Sequence, residues 1–455
     1  MGIPGATLEP KVTSYPFNRN RLLIIDWASL SYHQMFALNS PKMKKALGVL
    51  TAEEEQEKWR NMMFQKVLDY VALFNPKHMV FALEGKHTWR NDFVKDWYNA
   101  HTEVYYDAEA YYVVSDNEAF KVTMRGTDEN GNASYAVVKI PVKEWGLFTN
   151  LKHRTLGTLP SETQYMLWGI TQENGKPIIP VYKGQRKSSD WPFMTEKSVW
   201  REMKENFATD IAPMFRARAI RSPKAEGDDI VFSSIRAFGG DAEDIIIITR
   251  DSDLSQIDNP KVKIFNHVTE NFIKCKYPQE YLSAKILSGD SSDNINGMAF
   301  VDKKTGMKKP TSANRIGESG AITLLENCPN IYDTAKKCGW DDQYMRNKTL
   351  IDLSMVPDDI EKGIMESVNV EEPPLFGYDR LPDMKISDNR IKAVNQMRAI
   401  GFYAFLPLET VESNPDIFKS EEYEAARAGL QDSDPMGISG GIADVDVFAS
   451  PDVVF

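Results

Sequence analysis

Apolar and polar positions are unevenly spread along the chain, and the sharpest signal is a set of short apolar runs that each lead into a carboxylate. RLLIID ends on Asp26, MVFAL runs into Glu84, and IIIIT leads to Asp251 and Asp253. Runs this short, rich in β-branched residues and bounded by turn residues, predict strands buried on both faces of a parallel sheet. Ligands of open α/β sheets bind at the carboxyl ends of the strands, so these acids stand on the functional edge. An amphipathic helix is predicted over Thr51–Phe74 and a second one over IVFSSIRAF, directly behind Glu226, Asp228 and Asp229. KVKIF predicts one more strand.

Between Asn99 and Ile179 the pattern changes to Tyr- and Val-rich alternation, with Asn-Gly pairs at Asn130-Gly131 and Asn174-Gly175, which predicts a β-rich insertion. YKGQRKSSDWPFMTEKSVWREMKENF follows, with Lys183, Arg186 and Lys187 ahead of a mixed-charge helix. A solvated helix face accounts for such charges, while the interleaved Trp191, Phe193 and Trp200 also suit stacking on nucleic-acid bases. Further on, LSGDSSDNINGM sets Asp290 and Asp293 in a Gly-bounded turn. A basic loop carrying Lys303, Lys304, Lys308, Lys309 and Arg315 then enters Gly317-Glu318-Ser319-Gly320 and a helix, a helix-hairpin-helix-like arrangement whose backbone N–H groups suit a phosphate.

The expected fold is α/β, a central, mostly parallel sheet flanked by helices. The core falls in two parts, 1–98 and 180–280, around a β-rich insertion at 99–179. A helical region spans 281–411, and an acidic, Gly/Asp/Ser/Pro-rich tail, expected to be disordered, spans 412–455.

Composition narrows the chemistry. At 455 residues, 42% hydrophobic and 26% charged, the chain is expected to be a soluble multidomain protein. No apolar run reaches membrane-spanning length, and MGIPGATLEP lacks a signal-peptide layout. Cys275, Cys328 and Cys338 are too few and scattered for a disulfide framework, so a reducing cytoplasmic setting is expected. The net charge of −11 is concentrated: Glu412–Phe455 holds ten acids against two bases, a net −8. Pro180–Lys224 holds ten bases against five acids (+5), and Phe300–Arg315 five bases against one acid (+4). Basic patches flanking an acidic centre suit a phosphodiester substrate held around metal ions.

Asp at a helix start is also an ordinary cap, and Asp after a strand is ordinary turn chemistry. Three strands each delivering an acid at the same end need more than that, because clustered carboxylates repel one another unless cations lie between them. Oxygen-only ligands without a His/Cys cluster point to Mg²⁺ or Mn²⁺ rather than zinc.

The ordered set LLIID, FALEG, WRNDF, YKGQR, EGDD, TRDSDLSQI, LSGDSSDN and RIGESGA resembles the structure-specific 5′-nuclease family, the flap endonucleases and 5′→3′ exonucleases of bacteria and bacteriophages. RNKTLIDLSMVPDDI further resembles the ribonuclease H branch found in T-even bacteriophages. The likeness covers about Arg21–Arg90 and Pro180–Phe405. It implies a PIN-like fold and a two-metal phosphodiesterase acting on DNA with a 5′ end or flap, or on an RNA–DNA duplex. RNA-primer removal in phage replication, in the host cytoplasm, follows from the same likeness.

Residue by residue, the resemblance implies Asp26, Glu226, Asp228 and Asp251 around a first ion, and Asp253 with Asp290 or Asp293 around a second. Glu84 and Asp229 belong to the same acidic set, and Lys183 and Arg186 face the scissile phosphate. The chain departs from the family in Glu84, where Asp is usual, and in Gly227, where Ala is usual. The tail, ending DVFASPDVVF, is expected to meet a sliding clamp or single-strand-binding protein. Two rival readings are a non-catalytic DNA-junction or replication-complex protein and a PIN-type RNA endonuclease.

Overall fold

A computed structural model describes residues 7–8, 11–12, 15 and 20–368, apart from 75, 117, 128–132, 142, 143, 145, 147, 149, 185–190, 216, 241, 276–279, 299–314 and 329. The expected roles of Arg186, Lys187, Lys303, Lys304, Lys308 and Lys309, and of the tail at 412–455, fall on residues outside this description. The chain divides into two compact units. One takes its segments up to Lys86, from Asp190 to Lys276 and from Val356 onward, and the other comprises His87–Ser189 and Tyr277–Met355.

The first unit is built on a sheet of seven described strands: β1 (Thr7–Leu8), β2 (Arg21–Asp26), β3 (His78–Leu83), β4 (Ala217–Arg221), β5 (Asp244–Ile248), β6 (Val262–Asn266) and β7 (Asn271–Lys274). Their order is β1-β7-β6-β5-β2-β3-β4. The run β6-β5-β2-β3-β4 is parallel throughout; β7 runs against it and pairs antiparallel with both β6 and β1. The apolar runs form strands as expected because they have water on neither face: Leu22–Ile25 and Ile245–Ile248 are wholly buried. Arg21 and Asp244, opposite one another in register, close the far end of this pair with a buried ion pair of 3.0 Å.

Helices cover both faces. α1 (Trp27–Leu38), α2 (Ala52–Phe74) and α3 (Lys197–Ile211) share a core with Leu23, Ile25 and Phe81, built around Trp59, Phe64, Trp200 and Phe207. α4 (Gly227–Phe238) packs on β2 and β3, and α5 (Asp358–Val368) packs on α4 and β4. β3 and β4 extend the sheet from one side of β2, whereas β5 and β6 extend it from the other. The strand order therefore reverses between β2 and β5, and a crevice opens at the carboxyl ends of such a pair.

The aromatic residues Trp191, Phe193 and Trp200 require a correction. Phe193 and Trp200 are buried and Trp191 is half-buried, and their rings pack on one another and on Phe36, Tyr32 and Trp59 rather than forming an exposed base-stacking platform. Burial of large rings against each other outweighs keeping them available at the surface.

The second unit contains a five-stranded antiparallel sheet in the order Ala133–Ile140, Glu118–Thr127, Ala110–Ser115, Glu103–Tyr106, Lys152–Thr155. Its core joins Val104, Val113, Phe120 and Leu156 to Leu287, Trp340 and Leu350 from the later helices. A buried ion pair between Asp116 and Arg346 ties the sheet to those helices, and Tyr98 Oη (2.7 Å) and Asn296 Nδ2 (2.8 Å) also donate to the Asp116 carboxylate. Among the described residues, no helix is long and apolar enough to cross a membrane.

Candidate active site

Asp26 is the last residue of β2 and the first cap of α1. The Ser29 N–H donates to its Oδ1 (3.1 Å) and the Thr249 hydroxyl to its Oδ2 (2.7 Å). The same Thr249 oxygen accepts the Asp251 N–H at 2.9 Å, and Asp251 Oδ1 accepts the Asp253 N–H at 2.9 Å. The parallel register makes this relay possible: Ile25 lies beside Ile248, so the residues that follow them, Asp26 and Thr249, leave the sheet side by side. On the other flank Asp26 lies beside Ala82, which brings Glu84 to the same edge.

The start of α4 closes the group. Asp229 is fully buried, and its Oδ2 accepts the Glu226 N–H at 3.0 Å in a reciprocal capping box. A Cβ added to Gly227 would lie 3.7 Å from Asp26 Oδ1 and 3.9 Å from Glu84 Cγ, so the helix start and the two strand ends are immediate neighbours. Asp228 is half-buried on the first turn.

Electrostatics reports the crowding. Burial is the main reason that the Asp26 carboxyl is pushed up to about 6; the hydrogen bonds from Ser29 and Thr249 oppose this, and the charges of Glu84 and Asp251 add to it. Among the described residues no three His, Cys, Asp or Glu side chains form a ready-made metal cage. Mg²⁺ needs none, since it is commonly held through one or two carboxylates and its own waters. The all-oxygen donor set and the mutual repulsion at Asp26 therefore fit a hard divalent cation.

Three partners of this edge were not anticipated. Lys204 of α3 is 3% exposed, with Nζ 2.6 Å from Glu205 Oε1 and 3.9 Å from Glu84 Oε2. Burial works against its charge, but Glu84 and Glu205 more than offset that and raise its pKa. Ser29 Oγ lies 2.9 Å from Nε2 of the buried His267, whose ring neighbours His33, and Thr249 is the relay described above. The helical phase could have exposed Lys204, because it falls on the same stripe as Trp200, Phe207 and Ile211.

In the second unit the YK motif and the GDSSDN turn come together. Lys183 donates its backbone N–H to the Asp293 carbonyl (2.9 Å), and its Nζ stands 3.9 Å from Asp293 Oδ2. The Tyr182 hydroxyl donates to that same carboxylate oxygen at 3.0 Å, and Asn294 Nδ2 donates to the Val181 carbonyl at 2.9 Å. Lys183 takes a positive φ of 56° to make this fit. Asp290 is buried, its Oδ1 accepting from Ser292 and its Oδ2 paired with Lys285 at 2.9 Å. Arg315 is paired with Asn296, and Gly317, Ser319 and Gly320 are exposed at the start of the helix Glu318–Asn327.

Thus Asp26, Glu84, Glu226, Asp228, Asp229, Asp251 and Asp253 belong to the first unit, and Lys183, Asp290, Asp293, Arg315, Gly317, Ser319 and Gly320 to the second.

No protein-family model matches the chain. In sequence it is similar to a 5′-3′ exonuclease of Buchnera aphidicola, with 26% identity over 36% of this chain and 59% of that protein. It is also similar to the ribonuclease H of enterobacteria phage T4, with 27% identity over 34% of this chain and 52% of the relative. The matched stretches thus span little more than half of each relative's length. Among solved structures, a T5 5′-exonuclease aligns over 77% of this chain and 98% of its own, at 12% identity and a TM-score of 0.40.

Proposed function

From the kinship with 5′-nucleases that the exonuclease and ribonuclease H relatives support, we propose that this chain is a divalent-metal-dependent phosphodiesterase that removes nucleotides from a 5′ end or cuts at a flap, RNA primers included. The observation that carries this reading is Asp26: a buried carboxylate at the strand-order reversal, raised to about 6, with Glu84 and Asp251 as charged neighbours.

In this reading Asp26, Glu226, Asp228, Asp251 and Asp253 are the residues that would hold Mg²⁺ or Mn²⁺, with Glu84 beside them as a further oxygen donor. Bound there, a pair of such ions lowers the pKa of water and offsets charge on the leaving oxygen. The protein's own work is positioning. Thr249 locks Asp26 and Asp251 to one another, and the capping box sets Glu226 against the helix start. Asp229 serves as that cap rather than as a ligand. Lys183, with its backbone held at Asp293, is the candidate to stabilise charge on the scissile phosphate.

A 5′-labelled flap, an RNA–DNA duplex and a single-stranded RNA, each incubated with and without Mg²⁺, test the proposal. Cleavage of the first two that stops in EDTA is expected. Tight binding of the flap without any cleavage would favour the junction-binding rival, and cleavage of single-stranded RNA alone would favour the PIN-type one.

A further inference from the structure

We propose that Lys204 is a positioning residue for the acidic edge: it serves as the internal counter-cation of Glu84 and yields that carboxylate to a divalent ion when one binds. This rests on the metal-dependent reading above. Lys204 Nζ sits 2.6 Å from Glu205 Oε1 and 3.9 Å from Glu84 Oε2, with the rings of Tyr32 and Trp200 at 5.7 and 5.8 Å. The rings and the surrounding core confine the ammonium, which is 3% exposed.

A buried ion pair kept for structure alone satisfies both partners, because leftover charge in the interior is expensive. Here the match is incomplete. Glu205 Oε2 is buried without a hydrogen-bond partner among the described residues, and the lysine's charge extends past Glu205 to Glu84. The Glu84 side chain is 42% exposed, so it stands between a fixed cation on one side and Asp26 with the start of α4 on the other. A divalent ion entering beside Asp26 competes with Lys204 for the same carboxylate. The lysine then acts as a brake on metal affinity and as a substitute that keeps Glu84 in place between occupancies.

Calorimetric titration of Mn²⁺ into the full chain tests this without reference to turnover. The wild type is compared with Lys204→Met/Glu205→Gln, which removes one charge of each sign, with Glu84→Gln, and with all three substitutions together. The paired substitution is expected to tighten Mn²⁺ binding by about tenfold, and by less than about twofold when Glu84 is already Gln. Equal affinity in the wild type and the paired variant, or equal tightening with and without Glu84, overturns the assignment of Lys204. A wild type that binds no Mn²⁺ overturns the metal-dependent reading along with it.

Should the paired variant fail to fold, ¹⁵N-lysine spectra of the intact chain give a second reading. The ammonium resonance missing from Lys204→Arg is expected to move on adding Mg²⁺ in the wild type and to stay still in Glu84→Gln. A resonance indifferent to Mg²⁺ in the wild type removes the proposal.

Discussion

At Asp26 the fold keeps a carboxylate where its charge is disfavoured, and that has a measurable cost. Its folded pKa of about 6 lies above the ordinary value of 3.8, so the native state binds the extra proton between these values and stability falls as pH rises through that window. Asp26→Asn removes the charge while keeping an oxygen for Ser29. The variant is expected to be more stable than the wild type by about 1–3 kcal/mol in EDTA at pH 8, the gain shrinking as pH falls from 6 toward 4. Urea unfolding at both ends of that range checks it, and a destabilised variant at pH 8 would refute the account of Asp26. That an acid stands here was legible from RLLIID, because a strand-end carboxylate shows in the run itself. That Thr249 holds it was not, since this contact depends on strand register and joins residues 223 positions apart, whereas the Ser29 N–H lies three residues on and is an ordinary helix cap.

The start of α4 brings together Glu226, Asp228 and Asp229, and on the proposed reading it separates structural from chemical work within its first turn. Asp229 is buried and caps the Glu226 N–H, so Asp229→Ala is expected to lose about 1–2 kcal/mol of stability by thermal or denaturant unfolding. Asp228→Asn, at a half-buried position, is expected to leave stability within about 0.5 kcal/mol while activity collapses. Gly227→Ala places a methyl at ordinary contact distance from Asp26 and Glu84. It is therefore expected to retain activity and to gain up to about 1 kcal/mol, read by the same unfolding measurement.

The sequence made β2, β3 and β5 plain, because uninterrupted β-branched runs have few other homes than a buried parallel strand. It misled in α3, where MKEN suggested a wet face. Lys204 and Glu205 neutralise one another inside, and such a pair is invisible to a pattern that counts each charge as exposed.

For the molecule as a whole, acid is expected to weaken the fold. Burial and nearby cations hold His33 at about 4, and burial beside His33 and Arg250 holds His267 well below the usual histidine value, whereas unfolded histidines protonate near 6.5. Stability is present above 6.5 and is lost as pH falls toward 4, each histidine contributing about 1.4 kcal/mol per pH unit against one opposing share from Asp26. Asp116 adds a further loss only below its ordinary value of 3.8: burial alone would raise its pKa, but Arg346 and its hydrogen bonds leave it lowered. A melting temperature that rises from pH 6.5 to 4.5 in metal-free buffer would contradict this balance.

The division of the site residues between two units could not be read from spacing, since each unit is assembled from separated stretches of chain. The central claim, that the strand-edge acids hold metal for phosphodiester hydrolysis, is tested most directly by Asp253→Asn on a 5′-labelled flap in Mg²⁺. The account predicts flap affinity within about twofold of the wild type and a single-turnover rate lower by on the order of a hundredfold or more. Wild-type cleavage by that variant would contradict it.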